Sequence, residues 1–194
     1  RSTVSAVGGG GGSEGVKLSS AQRVVSSIAQ GARGQALLKN SRSRLIIYSE
    51  TNTGRDPEKL LRYFGIVYED PEIDGQWLAA TQGTFLPEGI YFNPTLSENN
   101  NWPKKIMNLE YPRQSSRPEG GPEYYYYEFN ANGTVATDFN NSWLVLQAGT
   151  LKPVSGNLSI EFDEEEKQNL KSALIFRRVG STTKVTDPTD ILDR

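Results

Sequence analysis

Asn157-Leu158-Ser159-Ile160-Glu161-Phe162-Asp163 places an apolar residue at every second position and a polar one between. A period of two belongs to a strand with one buried face and one wetted face. Outward from this stretch, the chain from Gly75 onward breaks into short apolar runs between turn residues. Segments 76–81, 89–92, 105–111, 123–129, 134–139, 142–147 and 173–179 read as further strands. Asn132-Gly133 supplies a hairpin turn. Positions 124–127 are four consecutive tyrosines, and a strand sends two of those rings to each face, so both faces need cover. Eight short strands over about 105 residues define a mainly β fold, a small antiparallel barrel or sandwich.

Ahead of the strands the pattern is helical. Ser20 can cap a helix running to about Lys39, with Ala21, Val24, Val25, Ile28, Ala32 and Ala36 at three- and four-residue steps. The stripe is narrow and small, and Gly31 and Gly34 each weaken the helix by up to about 1 kcal/mol, so it needs a surface to lie on. Asp56-Pro57-Glu58 predicts a second, short helix that Gly65 ends. Five glycines at 8–12 have no preferred conformation, and the polar stretch after Gly180 reads as an extended arm. The expected organisation is therefore a Gly-rich arm with an amphipathic helix over 1–45, a short helix and connector over 46–73, the antiparallel β domain over 74–180, and an extended C-terminal arm over 181–194.

Composition narrows the chemistry. The 194 residues include no histidine and no cysteine. That removes the imidazole base, the thiolate nucleophile, the disulfide and the Cys/His zinc site. The carboxylates, lysines, tyrosines and serines that remain form no recognisable catalytic constellation. No cofactor or metal is expected, and the acidic run 163–166 lacks the alternating ligands and turn glycine of a calcium loop, so it reads as a solvated hairpin tip. A net charge of −2 argues against nucleic acid as a partner. No apolar run approaches the roughly 20 residues of a bilayer span, so contact with a membrane is peripheral at most.

Two groups of residues are candidates for recognition. Arg23, Arg33, Lys39, Arg42 and Arg44 form a locally basic segment whose later members have no intervening acid until Glu50. Trp102, Tyr125 and Tyr127 offer rings of the kind favoured at protein interfaces. Both point to protein subunits of a larger complex as partners.

Asp74-Gly75-Gln76-Trp77, at the head of a strand, resembles the Gly-x-Trp opening of lipocalin-like barrels. That resemblance implies a Trp77 that plugs one barrel end, with Arg177 or Arg178 packed across its ring, and a hydrophobic small molecule or pigment as ligand. Arg1-Ser2-Thr3-Val4-Ser5-Ala6-Val7, followed by glycine and with no acid before Glu14, is similar to the mature end of a nuclear-encoded algal plastid protein. The overall type is similar to the peripheral subunits that algae add to photosystems or their antennae. That likeness implies a non-catalytic accessory subunit on the stromal side of the thylakoid membrane, stabilising subunit association. The lipocalin-like binder and a viral coat subunit with ordered arms are the alternatives.

Overall fold

A computed structural model describes residues 9–52, 55–113, 120–162, 165 and 168–193. The fold is mainly β and antiparallel, with two sheets that stay separate, so it is a sandwich and not a closed barrel. The first sheet is built from β1 (Ser43–Tyr48), β2 (Tyr63–Glu69), β3 (Trp77–Ala79), β4 (Thr84–Phe85), β6 (Lys105–Asn108) and β7 (Glu123–Phe129). Its order is β3-β2-β1-β7-β6, with β4 on β2. The second sheet is built from β5 (Ile90–Phe92), β8 (Trp143–Ala148), β11 (Lys171–Phe176) and β12 (Thr182–Val185), in the order β12-β11-β8-β5. A separate hairpin pairs β9 (Thr150–Val154) with β10 (Asn157–Glu161), the strand of strict alternation.

The N-terminal helix α1 (Gly9–Lys39) is longer than the capping residue Ser20 predicts and takes in glycines 9–12. Its buried face is Leu18, Ala21, Val25, Ala29, Ala32 and Ala36, while Val24 turns outward. That face touches β1, β2 and β7 of the first sheet and β5, β8, β11 and β12 of the second. Side chains no larger than a methyl group at most of these positions let the helix axis come close to both sheets at once. The buried Gln22 amide donates to the carbonyls of Ala173 and Val185 at 3.0 and 3.1 Å, and so ties the helix to two adjacent strands.

Alternation partitions each sheet. Leu45, Ile47, Phe64, Ile66, Tyr127 and Phe129 face inward, meeting Leu144, Leu146, Leu174 and Phe176 of the second sheet in the main core. Ile46, Tyr48, Tyr63, Val67 and Tyr124 face the other way and form a second core with Trp77, Leu109 and Tyr111. The outer face of the second sheet is covered by a third, smaller cluster. There Val145 and Ala173 pack on Leu96 from α2 (Pro94–Asn99) and on Ile191 near the C-terminus.

Several expectations are corrected. Segment 46–73, expected as short helix and connector, contains half of β1 and all of β2, two central strands of the first sheet. Pro57–Lys59 makes only one 3-10 turn, and Gly65 lies inside β2 instead of ending a helix. The stretch after Gly180 is not a free arm. It begins as β12, paired with β11, and Ile191 is buried. Segment 134–139 contributes a single bridge, Phe129 to Val135, and a 3-10 turn instead of a strand. The Arg1–Val7 stretch, most of the acidic run 163–166 and most of the 114–122 loop lie outside the described residues.

Candidate functional site

Trp77 belongs to the first sheet and lies on its outer face, where it closes no barrel. The nearest guanidinium over its ring is that of Arg44, 4.0 Å from the centroid, and Arg44 lies 3.8 Å from the Tyr126 ring as well. The expected pairing with Arg177 or Arg178 is therefore corrected. Arg177 follows β11 in the other sheet and donates to Thr183 Oγ1 at 2.9 Å, and Arg178 is exposed. β1 and β7 are neighbours in register, Arg44 opposite Glu128, so the cation, one of its rings and its carboxylate come from adjacent strands. Arg44 Nε donates to Glu128 Oε1 at 2.8 Å.

The basic segment does not act as one surface. Arg42 makes a two-pronged contact with Glu69, at 3.0 and 2.9 Å. Burial on its own would raise the Glu69 carboxyl, but the Arg42 hydrogen bond and the Gly75 N–H outweigh it and hold the group below its ordinary value. Arg33 donates Nε to the Gly133 carbonyl at 3.1 Å, and the Lys39 ammonium lies 5.0 Å from the Tyr68 ring. Arg23, by contrast, is turned to solvent. The neutralising acids come from β2 and β7, far along the chain, so the run without acids carried no hint of them.

The expected aromatic surface is likewise mostly interior. Trp102 is 4 % exposed and Tyr127 1 %. The two rings stack at 5.4 Å between centroids, and Tyr127 stacks on Phe176 of the opposite sheet at 4.5 Å. Tyr125 is half-buried and meets Trp102 edge-on at 5.1 Å.

The site that the geometry does assemble was not among these residues. Register places Tyr91, Gln147 and Lys171 in one row across β5, β8 and β11, on the outer face of the second sheet. Above this row opens a cleft of about 390 Å³ lined by Asn93, Thr95, Gln147, Ile160, Phe162 and Lys171, among others. That volume falls within the range of small-molecule sites.

Each wall has a local cause. Asn93 caps α2 by accepting from the Leu96 N–H at 3.0 Å, while its own amide donates to Gln147 Oε1 at 2.8 Å. Gln147 Nε2 reaches the Phe162 carbonyl at 3.4 Å, which orients both amides. The Lys171 side chain is only 10 % exposed, and its ammonium is 3.5 Å from Asp193, whose side chain is 72 % exposed. Asp193 is brought there because Asn100 exchanges hydrogen bonds with the backbone of Leu192, at 3.1 and 3.2 Å, while Ile191 packs on the sheet.

A second cleft, about 230 Å³, adjoins the first. It shares Thr95, Ile160 and Phe162 with the first and adds Leu60, Leu61, Pro94, Tyr125 and Leu158. The β9–β10 hairpin forms the common wall, held to the segment after β1 by the Leu158 N–H on the Thr51 carbonyl at 2.9 Å. The sequence pattern starts this strand at Ala173 and so leaves Lys171 out. The available signal is a lysine in phase with Ala173 and Ile175, a charge on a strand face otherwise apolar. Among the described residues no cluster of three or more acids is placed to hold a metal.

No protein-family model matches this chain, and neither a curated protein nor a solved structure matches it.

Proposed function

We infer that this chain is a non-catalytic binding protein, and that its cleft takes a small molecule bearing an anionic group. The observation that carries the reading is the Lys171 ammonium, nearly buried at the cleft floor and ion-paired to an exposed carboxylate. A desolvated cation is costly to leave without a counter-ion, and an exposed Asp193 is a counter-ion that a ligand can displace. Beside the ammonium, the fixed amides of Asn93 and Gln147 supply donors and acceptors for orientation, and Ile160 and Phe162 supply apolar cover. A barrel is not required, since the cleft lies between the second sheet and the hairpin.

The test is titration of the whole protein with small carboxylates and with inorganic phosphate, followed calorimetrically. Saturable binding that weakens at least tenfold in Lys171→Met is expected. Equal binding by the two proteins, or none by either, sinks the reading.

An accessory role in a larger complex is a second proposal, resting on the solvent side of α1. Val16 and Leu38 are both more than two-thirds exposed there, and Arg23 is turned outward between them. Co-purification of the chain with partner proteins, lost when Val16, Arg23 and Leu38 are changed together to serine, is the expected outcome. Unchanged co-purification would remove α1 from any such role.

A further inference from the structure

We propose that the ligand is a single-chain amphiphile, with its anionic head at Lys171 and its apolar tail running past Ile160 and Phe162 into the second cleft. This rests on the reading of the Lys171 cleft as an anion site. Three residues, Thr95, Ile160 and Phe162, line both clefts, so the two spaces adjoin across one shared set of side chains at the β9–β10 hairpin.

Their chemistry is graded from one end to the other. The first cleft has the ammonium of Lys171 and the amides of Asn93, Gln147 and Gln168. The second offers Leu60, Leu61, Pro94, Leu158 and the Tyr125 ring, with Ser49, Thr51, Thr95 and Ser159 as its polar lining residues. A compact ion would use the first and leave the second wet. A molecule with a head and a tail satisfies both, because apolar surface is removed from water as the tail lies along the shared wall. β10 suits that wall. Its alternation turns Leu158, Ile160 and, one step on, Phe162 toward the clefts and toward the core. The hairpin is fastened to the segment that follows β1 by the Leu158–Thr51 bond and the Asn52–Asn157 bridge, which fix the position of this wall.

Head chemistry could be a carboxylate or a phosphate monoester, since a lysine binds either as a point charge. The experiment therefore has two arms: straight-chain carboxylates from butyrate to laurate, and octyl phosphate. Each is titrated calorimetrically into the whole wild-type protein, with the matching alkanols as uncharged controls.

Affinity is expected to rise about fourfold per added methylene, equivalent to ~0.8 kcal/mol each, until the second cleft is filled, and then to level off. Lys171→Met is expected to abolish the preference for the charged head over the alkanol. Leu158→Asn is expected to flatten the chain-length dependence. Comparison of octyl phosphate with the carboxylate of like length identifies the preferred head.

Binding of butyrate and laurate with equal affinity would overturn the amphiphile and leave the anion site standing. Alkanols that bind as tightly as carboxylates would overturn the head at Lys171. Absence of binding by every anion would overturn both readings. The chain-length series needs no variant, so a substitution that unfolds the protein does not blunt it.

Discussion

The hydroxyl of Tyr111 occupies the space that a side chain at position 65 would need, directly over Gly65 in the middle of β2. It is held there by Thr81, donating to the backbone carbonyl at 2.7 Å and lying 2.8 Å from the side-chain oxygen. Glycine within a strand usually marks such a close approach. Gly65→Ala is expected to cost about 1–3 kcal/mol by overfilling this contact. Chemical denaturation measures it, and a variant within about 0.5 kcal/mol of wild type, the usual effect of a surface change, would show that Tyr111 moves aside freely.

Arg44 is clamped between two rings and paired with Glu128, each of the two charged side chains only 12 % exposed. Arg44→Met keeps most of the stem but leaves Glu128 with only the longer 3.6 Å contact to Arg42. A loss of about 1–3 kcal/mol is expected, together with a change in Trp77 emission as the cation leaves its ring. Arg44→Lys is expected to recover only part of the loss, because a lysine cannot lie flat between two rings. Full recovery by lysine would mean that the charge alone matters.

Acid should weaken the fold through Glu69. Its folded pKa lies below the ordinary value of 4.5, so its contribution is complete above that value and is lost as pH falls through the lower, folded one. Glu69→Gln is expected to be less stable than wild type near neutrality and to lose less as the solution is acidified below the ordinary carboxyl value. Urea unfolding at a series of acidic pH values compares the two slopes, and parallel slopes would exclude Glu69 as a source of acid sensitivity.

Alkali acts through the tyrosines. Burial pushes the Tyr111 hydroxyl up from 10 to about 12, and burial raises Tyr124 and Tyr127 as well. A raised pKa means stability that is complete below the unfolded value and is lost as pH rises through the folded one. The fold is expected to weaken from about pH 10 upward, with phenolate absorbance from the buried rings appearing together with the loss of tertiary structure. Reversible titration of Tyr111, Tyr124 and Tyr127 at the ordinary phenol value in the folded state would contradict their burial.

The sequence disclosed the class of fold better than its assembly. Period-two alternation at 157–161 and the tyrosine run of β7 were legible because each strand has one face in a core and the other in different surroundings. β2 was not, since Asp56-Pro57-Glu58 is a sound helix start that closes only one turn before the chain is drawn into the first sheet. Gly65 then looks like a stop signal, although its cause is Tyr111, far along the chain. The site was less legible still. Lys171, Asn93 and Gln147 are scattered in the chain and meet through the β8–β11 register and the Asn93–Gln147 hydrogen bond, neither of which local pattern specifies.

Three stacked rings, Trp102, Tyr127 and Phe176, run from the segment after α2 through one sheet and into the other. The indole at one end of this column is thereby a built-in optical gauge. Any breathing motion that parts the two layers must unstack Tyr127 from its neighbours, and the light emitted by Trp102 would register that motion without an added dye.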